Sequence, residues 1–275
     1  MSRSGLINQT FFRSILLLFL FYPGEAAAVP DPIAWNFWNV QGAVSEVDHE
    51  PWQHFLDRYL VASPDGINRV RYQAVTAEDQ AALSAYVSTQ AALDPRGLTR
   101  AAQQAYWINL YNALTVQVVL DYPRKRSILR MGRKLLSIGP WDDEVVQIQG
   151  QHLTLNDIEH RILRPLYGDE RVHFAVNCAS VGCPNLATRA YTPENLESML
   201  EQQMREYLVH SRGLRLEDGK LIASSIFDWY RVDFGGEEPV VRAWLAQRQG
   251  ALAKVLLDPE IDLEYDYDWA LNQVK

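Results

Sequence analysis

The chain has 275 residues, 48% hydrophobic and 22% charged, and its 34 acidic against 26 basic side chains give a formal net charge of −8. That length permits one sizeable core or two modest ones, and the composition is that of a folded globular protein, not a disordered or fibrous one. The acidic balance argues against a nucleic-acid partner, whose binding rests on dense lysine and arginine.

Residues 1–28 have the build of a secretory signal peptide. Arg3 and Arg13 precede the apolar run Ile15 to Tyr22, and Ala26, Ala27 and Ala28 follow a Pro-Gly break. The run is too short to span a bilayer, which takes about twenty residues. Cleavage after Ala28 removes Arg3, Arg13 and Glu25 and leaves 24 basic against 33 acidic residues. The expectation is a periplasmic or secreted protein with no stable membrane span after signal cleavage. Residues 29–50 read as an irregular arm with Trp35, Phe37 and Trp38 tucked against the body, and residues 51–275 as a single globular domain.

Pro51 suits the first turn of a helix through Val61, and Thr76 caps one to about Leu93, with Glu78 and Asp79 in its first turn. The segment LTRAAQQAYWINLYNALTVQVVL offers Thr99 as a cap and is apolar on every face from Tyr106 to Leu120, the mark of a buried helix. It ends before Pro123, because the residue preceding a proline is steered out of helix. Asn109 and Asn112 lie three apart on one side of it, so both amides need partners.

EVVQIQGQHLTL, residues 144–155, alternates about Gly150 as a hairpin does. A helix starts at Asn156 or Asp157 and presents Glu159, His160 and Arg164. RVHFAVN, residues 171–177, reads as a strand with His173 on one face and Cys178 leaving from the other. Thr192, Pro193 and Glu194 open a helix to about Val209, and Asp218-Gly219 turns a second hairpin. A helix, EPVVRAWLAQR, follows IFDWYRVDFGG, and the tail IDLEYDYDWAL alternates as a strand with an acidic outer face that blunts a sheet edge.

Both cysteines of the chain lie in VHFAVNCASVGCPNL, residues 172–186. A cysteine nucleophile needs a base and an orienting group in reach. Cys178 has His160 or His173 as candidate base and Asn109, Asn112 or Glu159 as candidate orienter, His160 being preferred because strand alternation points His173 away. The alternative is a Cys178–Cys183 disulfide, favoured by an oxidising compartment and the absence of a competing cysteine. A zinc site using both thiols with His160 and His173 ranks lower because the gap exceeds a C-x2-C knuckle, as does a redox pair. CASVG lacks the first glycine of a serine elbow. No cofactor is indicated, and no binding partner or substrate is named by these residues.

AYWINLYNALTV, LNDIEHRILR, RVHFAVNCASVGCPNL and IFDWYRVDF together resemble, in order from about Trp52 to Trp244, the successive blocks of the domain of unknown function 547 family. The family carries no assigned activity; its members occur as exported bacterial and as intracellular plant proteins. The resemblance implies a pattern here of Asn109, Asn112, Glu159, His160, Arg164, His173, Cys178, Ser180, Cys183, Pro184, Trp229, Tyr230, Asp233 and Phe234. It also implies a grouping with papain-like cysteine hydrolases. Papain-like enzymes place the cysteine on a helix N-terminus ahead of the histidine, and only His210 follows here. The expectation is therefore a mainly helical α+β single domain with a small mixed or antiparallel sheet and a papain-like cast. Its candidate site lies where residues 171–177 end, between the 99–120 helix and WYRVDF. It acts either as a thiol-dependent hydrolase or transferase on an amide or ester, or as a non-catalytic binding or scaffolding module with a structural disulfide.

Overall fold

The computed structural model describes residues 30–133 and 138–274; the expected signal peptide lies outside them. No helix among the described residues is long and apolar enough to cross a membrane.

Helix α1 spans Glu50–Tyr59 with Pro51 in its first turn and ends two residues short of Val61, where the chain turns extended into β1 (Leu60–Ala62). That strand pairs antiparallel with β2 (Asn68–Val70). Helix α2 spans Ala77–Ala92, and the Thr76 hydroxyl accepts the Asp79 N–H as its cap. Helix α3 spans Arg100–Asp121, capped by Thr99. Trp107, Ile108, Leu110 and Ala113 are each 0% exposed, so its middle is enclosed on all sides. Tyr122 leaves the helix ahead of Pro123.

The N-terminal arm packs onto α3. A short 3-10 turn, Asn36–Trp38, buries Trp38 completely and sets its ring edge-on to Trp107 at 5.2 Å, a favoured aromatic geometry. Strands β3 (Val146–Ile148) and β4 (Gln151–Leu153) form the first hairpin. Gln149 and Gly150 at its turn both have positive φ, as a two-residue type I′ turn requires.

Residues Asp157–Leu163 form a π-helix that continues into α4 (Arg164–Tyr167). In the next segment the structure departs from the sequence reading. Residues 171–177 are not a strand: Glu170–Phe174 is a 3-10 turn. The Asp169 carboxylate caps that turn through the Arg171 N–H, and the Ala175 N–H closes back onto the Val172 carbonyl. The apolar alternation of 172–176 reflects burial on both sides. Phe174 packs near Tyr207, Phe227, Phe234 and Trp244, while Val172, Ala175 and Val176 belong to the cluster around α3.

Helix α5 (Leu196–Val209) begins after a turn at 192–195. Strands β5 (Leu214–Glu217) and β6 (Lys220–Ser224) make the second hairpin. After α6 (Ile226–Trp229), α7 (Glu238–Arg248) and α8 (Ala253–Leu256), β7 (Leu263–Asp266) adds parallel to β6, so this three-stranded sheet is mixed. Glu264 and Asp266 face outward, where they meet Lys220 and Arg215. The whole is mainly helical α+β.

Two hydrophobic clusters result. One surrounds α3 with the arm, α1, α2 and the first hairpin; the other joins α5, the mixed sheet, Phe227, Phe234 and α7. Phe174 lies in the second cluster and its neighbours Val172 and Ala175 in the first. The segment leading to Cys178 therefore runs along the seam between them.

Because Trp38 supplies the arm's buried anchor, Trp38→Ala is expected to cost about 3–5 kcal/mol, measured as a lowered urea midpoint. An unchanged midpoint would mean that the arm contributes nothing to the fold.

Candidate functional site

The loop 175–184 is buried backbone without a ladder of its own, so its peptide groups must be satisfied from elsewhere. Asn112 on α3 does this with both ends of its amide: it donates to the Ala175 carbonyl at 3.0 Å and accepts the Asn177 N–H at 2.8 Å. Asn109, one turn earlier, treats Tyr191 in the same manner, at 2.8 and 2.9 Å. Asn177 donates to the Pro184 carbonyl at 2.6 Å and accepts the Ala179 N–H at 2.9 Å. The C-terminal tail closes the other side. Asn272 N–H donates to the Ala179 carbonyl, Val181 N–H to Ala270 and Gly182 N–H to Asp268.

Two details bring the thiol out of this frame. Ala179 has φ of 60°, a left-handed conformation that costs a non-glycine residue about 1–3 kcal/mol and is held by the hydrogen bonds on its N–H and carbonyl. Gly182 lets the tail approach: a Cβ there would stand 2.8 Å from the Asp268 nitrogen and 3.0 Å from the Tyr267 ring. Tyr267 is thereby seated with its hydroxyl 3.1 Å from Cys178 Sγ. Ser180 Oγ lies 3.0 Å from the same sulfur and donates to the Tyr267 oxygen at 3.0 Å.

Cys178 is half-buried and Cys183 buried, and both are free thiols, close but not bonded. The expected bridge is therefore absent from this structure. The Cys178 N–H points at Cys183 Sγ, at 2.9 Å, so the second sulfur serves as an acceptor for the loop. Burial opposes ionisation of Cys178, but hydrogen bonds from Cys183, Ser180, Tyr267 and the Ser180 backbone outweigh it and lower its pKa to about 7. Cys183 moves the other way, raised by burial first and then by the adjacent Cys178 sulfur. Two sulfurs this close do not both ionise, and the hydroxyls choose Cys178. Burial above all holds Tyr267 well above its usual pKa, so it stays a hydrogen-bond donor.

The histidines sit elsewhere, in a second cluster built on the π-helix. Such helices recur at functional sites, and in this one the Glu159 carbonyl accepts the Arg164 N–H five residues on. Arg164 donates to Asp233 at 2.6 Å and sits 3.0 Å from His160 Nδ1. His173 Nε2 lies 2.7 Å from Asp233, and its Nδ1, without a hydrogen-bond partner, faces Glu159 at 4.0 Å. Glu159 accepts from Tyr111 at 3.0 Å and from Tyr230. Burial opposes the charge on Glu159, and the neighbouring His160 and His173 together with these hydroxyls still hold its pKa low. Burial lowers the pKa of His160, with Arg164 adding to the effect. The Tyr230 ring packs tilted against His173, centroids 4.0 Å apart, and lies under the Arg164 guanidinium.

Of the candidates named from sequence for the nucleophile, its base and its orienter, Cys178 alone stands in the thiol cluster, with Cys183 and Ser180 beside it. No hydrogen bond among the described residues joins it to His160 or His173, which face Arg164 and Asp233 instead. The strand argument that separated His173 from Cys178 rested on an element that is not there. Glu159 lies with the histidines, and Asn109 and Asn112 tie down loops instead of orienting a base. Cys178 follows a 3-10 turn and a loop, not a helix N-terminus, unlike the papain-like arrangement. Cys178, Cys183, His160 and His173 do not gather as a zinc site, and no group of three or more His, Cys, Asp or Glu among the described residues could hold a metal. Tyr267, Asn177 and Asn272 were missed. The alternation of the tail does place Tyr267 on its inner side, but nothing local says which loop it meets. Trp229 reaches the rim of the thiol cluster, 4.8 Å from the Tyr267 ring.

Residues 95–208 match the family model described as protein of unknown function, DUF547, and over that stretch the chain resembles that family. Three of the four blocks recognised in sequence fall within the match; IFDWYRVDF lies beyond it. No curated protein and no solved structure matches the chain.

Asn112→Ala leaves a buried carbonyl and a buried N–H unpaired and is expected to cost about 2–4 kcal/mol, read by chemical denaturation; a loss below measurement error would refute the latch. Asp233 behaves differently with pH. Burial opposes its charge, yet His173 and Arg164 together depress its carboxyl to about 2. A depressed pKa stabilises the fold above the ordinary carboxyl range and stops doing so as pH falls through about 4 towards 2, here by about 2 kcal/mol. Asp233→Asn should abolish that part of the acid dependence and, by leaving Arg164 buried and unpaired, cost about 3–5 kcal/mol at neutral pH. Parallel acid-unfolding curves for parent and variant would contradict this assignment.

Proposed function

We propose that Cys178 is the nucleophile of a thiol-dependent hydrolase or transferase acting on an amide or ester. The observation that carries the reading is the half-buried Cys178 sulfur held between two hydroxyls, 3.0 Å from Ser180 and 3.1 Å from Tyr267, with its pKa lowered. A thiol in that state supplies thiolate near neutral pH without a histidine.

The sequence of steps follows from these groups. With Cys178 ionised, both hydroxyls turn their protons towards the sulfur. Sγ attacks the carbonyl carbon, the S–C bond forms, and the C–N or C–O bond to the leaving group breaks. The leaving group takes a proton from Tyr267, the high-pKa donor beside the sulfur. Water, or another acceptor nucleophile, then attacks the thioester and returns its proton to Tyr267 as the thiolate leaves. Asn112, Asn177 and Asn272 position the nucleophile through its loop.

A second reading, a non-catalytic binding module with a Cys178–Cys183 staple, is favoured by the absence of a histidine from the thiol cluster. It goes with export: the charged and apolar N-terminal segment reads as a secretion signal, and the compartment it leads to favours oxidation. Mass measurement after alkylation in denaturant without reductant separates the two, two added labels supporting free thiols and none supporting the staple.

The enzyme reading is tested by iodoacetamide labelling as a function of pH. Labelling of the parent should titrate near the lowered Cys178 pKa and disappear in Cys178→Ala. Tyr267→Phe removes a hydrogen bond that favours the thiolate, so its labelling should titrate at higher pH and slow at neutral pH. A parent profile like that of an ordinary free cysteine would sink the proposal.

A further inference from the structure

The charges of this protein are not evenly mixed. Between Asp121 and Asp142 there is no acidic residue, while Arg124, Lys125, Arg126, Arg130, Arg133 and Lys134 fall within that stretch, in a chain whose net charge is −8. The five of these that the structure describes are all exposed. Elsewhere among the described residues most cations are paired: Arg58, Arg69, Arg96, Arg205, Arg215 and Lys220 each rest against a carboxylate, and the unpaired Arg71, Arg189 and Lys254 are scattered singly along the chain. Among the described residues, none of Arg124, Lys125, Arg126, Arg130 or Arg133 makes a side-chain ion pair or hydrogen bond.

These cations are carried on an anchored loop. Ile128 and Met131 are 0% and 2% exposed and pin it to the α3 cluster. The Gly139 N–H donates to the Leu129 carbonyl, and the buried Asp143 carboxylate accepts the Arg133 N–H at 2.6 Å. A third tie leads towards the thiol site: the Leu271 N–H donates to the Arg126 carbonyl, and Leu271 bridges to Ser180 on its other side. Arg126 and Ser180 thus flank one extended segment, which at strand spacing puts their backbones about 10 Å apart.

Apolar and amphipathic groups accompany the charge. Ile138 is 54% exposed, and Trp141 pairs edge-on with Trp269 at 5.9 Å, both half-buried. Trp269 in turn stacks on Trp229 and packs against Tyr267. Tryptophan favours the boundary between lipid and water, and an exposed aliphatic side chain gains by entering it, whereas a nucleic-acid backbone offers Ile138 nothing.

We propose that the face formed by residues 124–133, Ile138 and the Trp141–Trp269 pair docks on an anionic phospholipid surface. The lysine and arginine charges meet headgroup phosphates, Ile138 enters the headgroup boundary, and the remaining acidic surface turns the basic face towards the bilayer and every other face away. Over a Debye length of about 8–10 Å only the nearest charges feel the surface, so a globally acidic protein can still bind one. The thiol loop stands at the edge of this face, which suits an amphiphile met at the membrane. The docking does not rest on the thiol reading.

The test is co-sedimentation of the full chain with vesicles of phosphatidylcholine alone and of phosphatidylcholine containing phosphatidylglycerol. Binding is expected on the anionic vesicles and should weaken as salt rises. Arg124, Lys125 and Arg126 changed together to Gln should lower partitioning about a hundredfold, each charge being worth about fivefold near such a surface. All three are exposed and unpaired, so the variant should keep the parent's circular dichroism and melting point. The apolar run Ile15–Tyr22 is common to parent and variant and gives the same background in both. Ile138→Ser should weaken binding to anionic vesicles and leave any binding to duplex DNA unchanged. Equal binding to both vesicle types, unchanged binding by the triple variant, or tighter binding to DNA than to anionic vesicles would each overturn the proposal. Cys178→Ala should bind vesicles as the parent does, so the thiol proposal and this one can fail separately.

Discussion

The structure turns on the cost of burying peptide groups that belong to no helix or sheet. Loop 175–184 runs between two hydrophobic clusters, where an unpaired N–H or carbonyl costs about 1–3 kcal/mol, and side-chain amides answer that cost. Asn112 works like a short piece of strand, taking one carbonyl and one N–H. Asn272 repeats the device from the tail: it donates to Asn177 Oδ1 at 3.2 Å and accepts the Tyr72 hydroxyl at 2.9 Å. Helix α3, strand β2 and the C-terminus are tied through one loop, and Cys178 is the residue this frame delivers.

The second cluster obeys a related constraint. Arg164, with its side chain 2% exposed, cannot stand unpaired in the interior. Asp233 neutralises it, Tyr230 covers it, and His173 and His160 complete the shell. Glu159 is a further buried negative charge, retained because two tyrosine hydroxyls and two imidazoles surround it. The π-helix makes the arrangement by setting Glu159 and Arg164 one turn apart, although an ideal α-helix would turn residues five apart to different sides. Tyr111 and Tyr230 each lie near enough to interact electrostatically with both Glu159 and Cys178, so the two clusters are neighbours.

Surface charge completes the division of labour. Most cations are consumed in local pairs, worth little each when exposed, while those of residues 124–133 are left free on a loop with buried anchors. The mean composition conceals this, since a net charge of −8 describes the whole chain and not the face beside Cys178.

Elements governed by near neighbours were legible. Thr76 and Thr99 announce their helices, Pro123 ends one, and Gly150 and Gly219 turn the two hairpins, because caps, steric exclusion and positive φ act within a few residues. The buried character of α3 followed from its all-round apolarity. The pattern VHFAV misled, because a segment enclosed on both sides has no period to reveal, and the Asp169 cap and Asn112 latch decided its shape. Composition and local pattern thus determined the helices, the hairpins, the arm and the neighbourhood of Cys178. Only the tertiary structure decided that Tyr267, 89 residues away, stands at the thiol while His160 and His173 turn to Asp233 and Arg164. Those pairings are set by which buried polar groups can satisfy one another across the seam, a property of the packed chain that no local stretch contains.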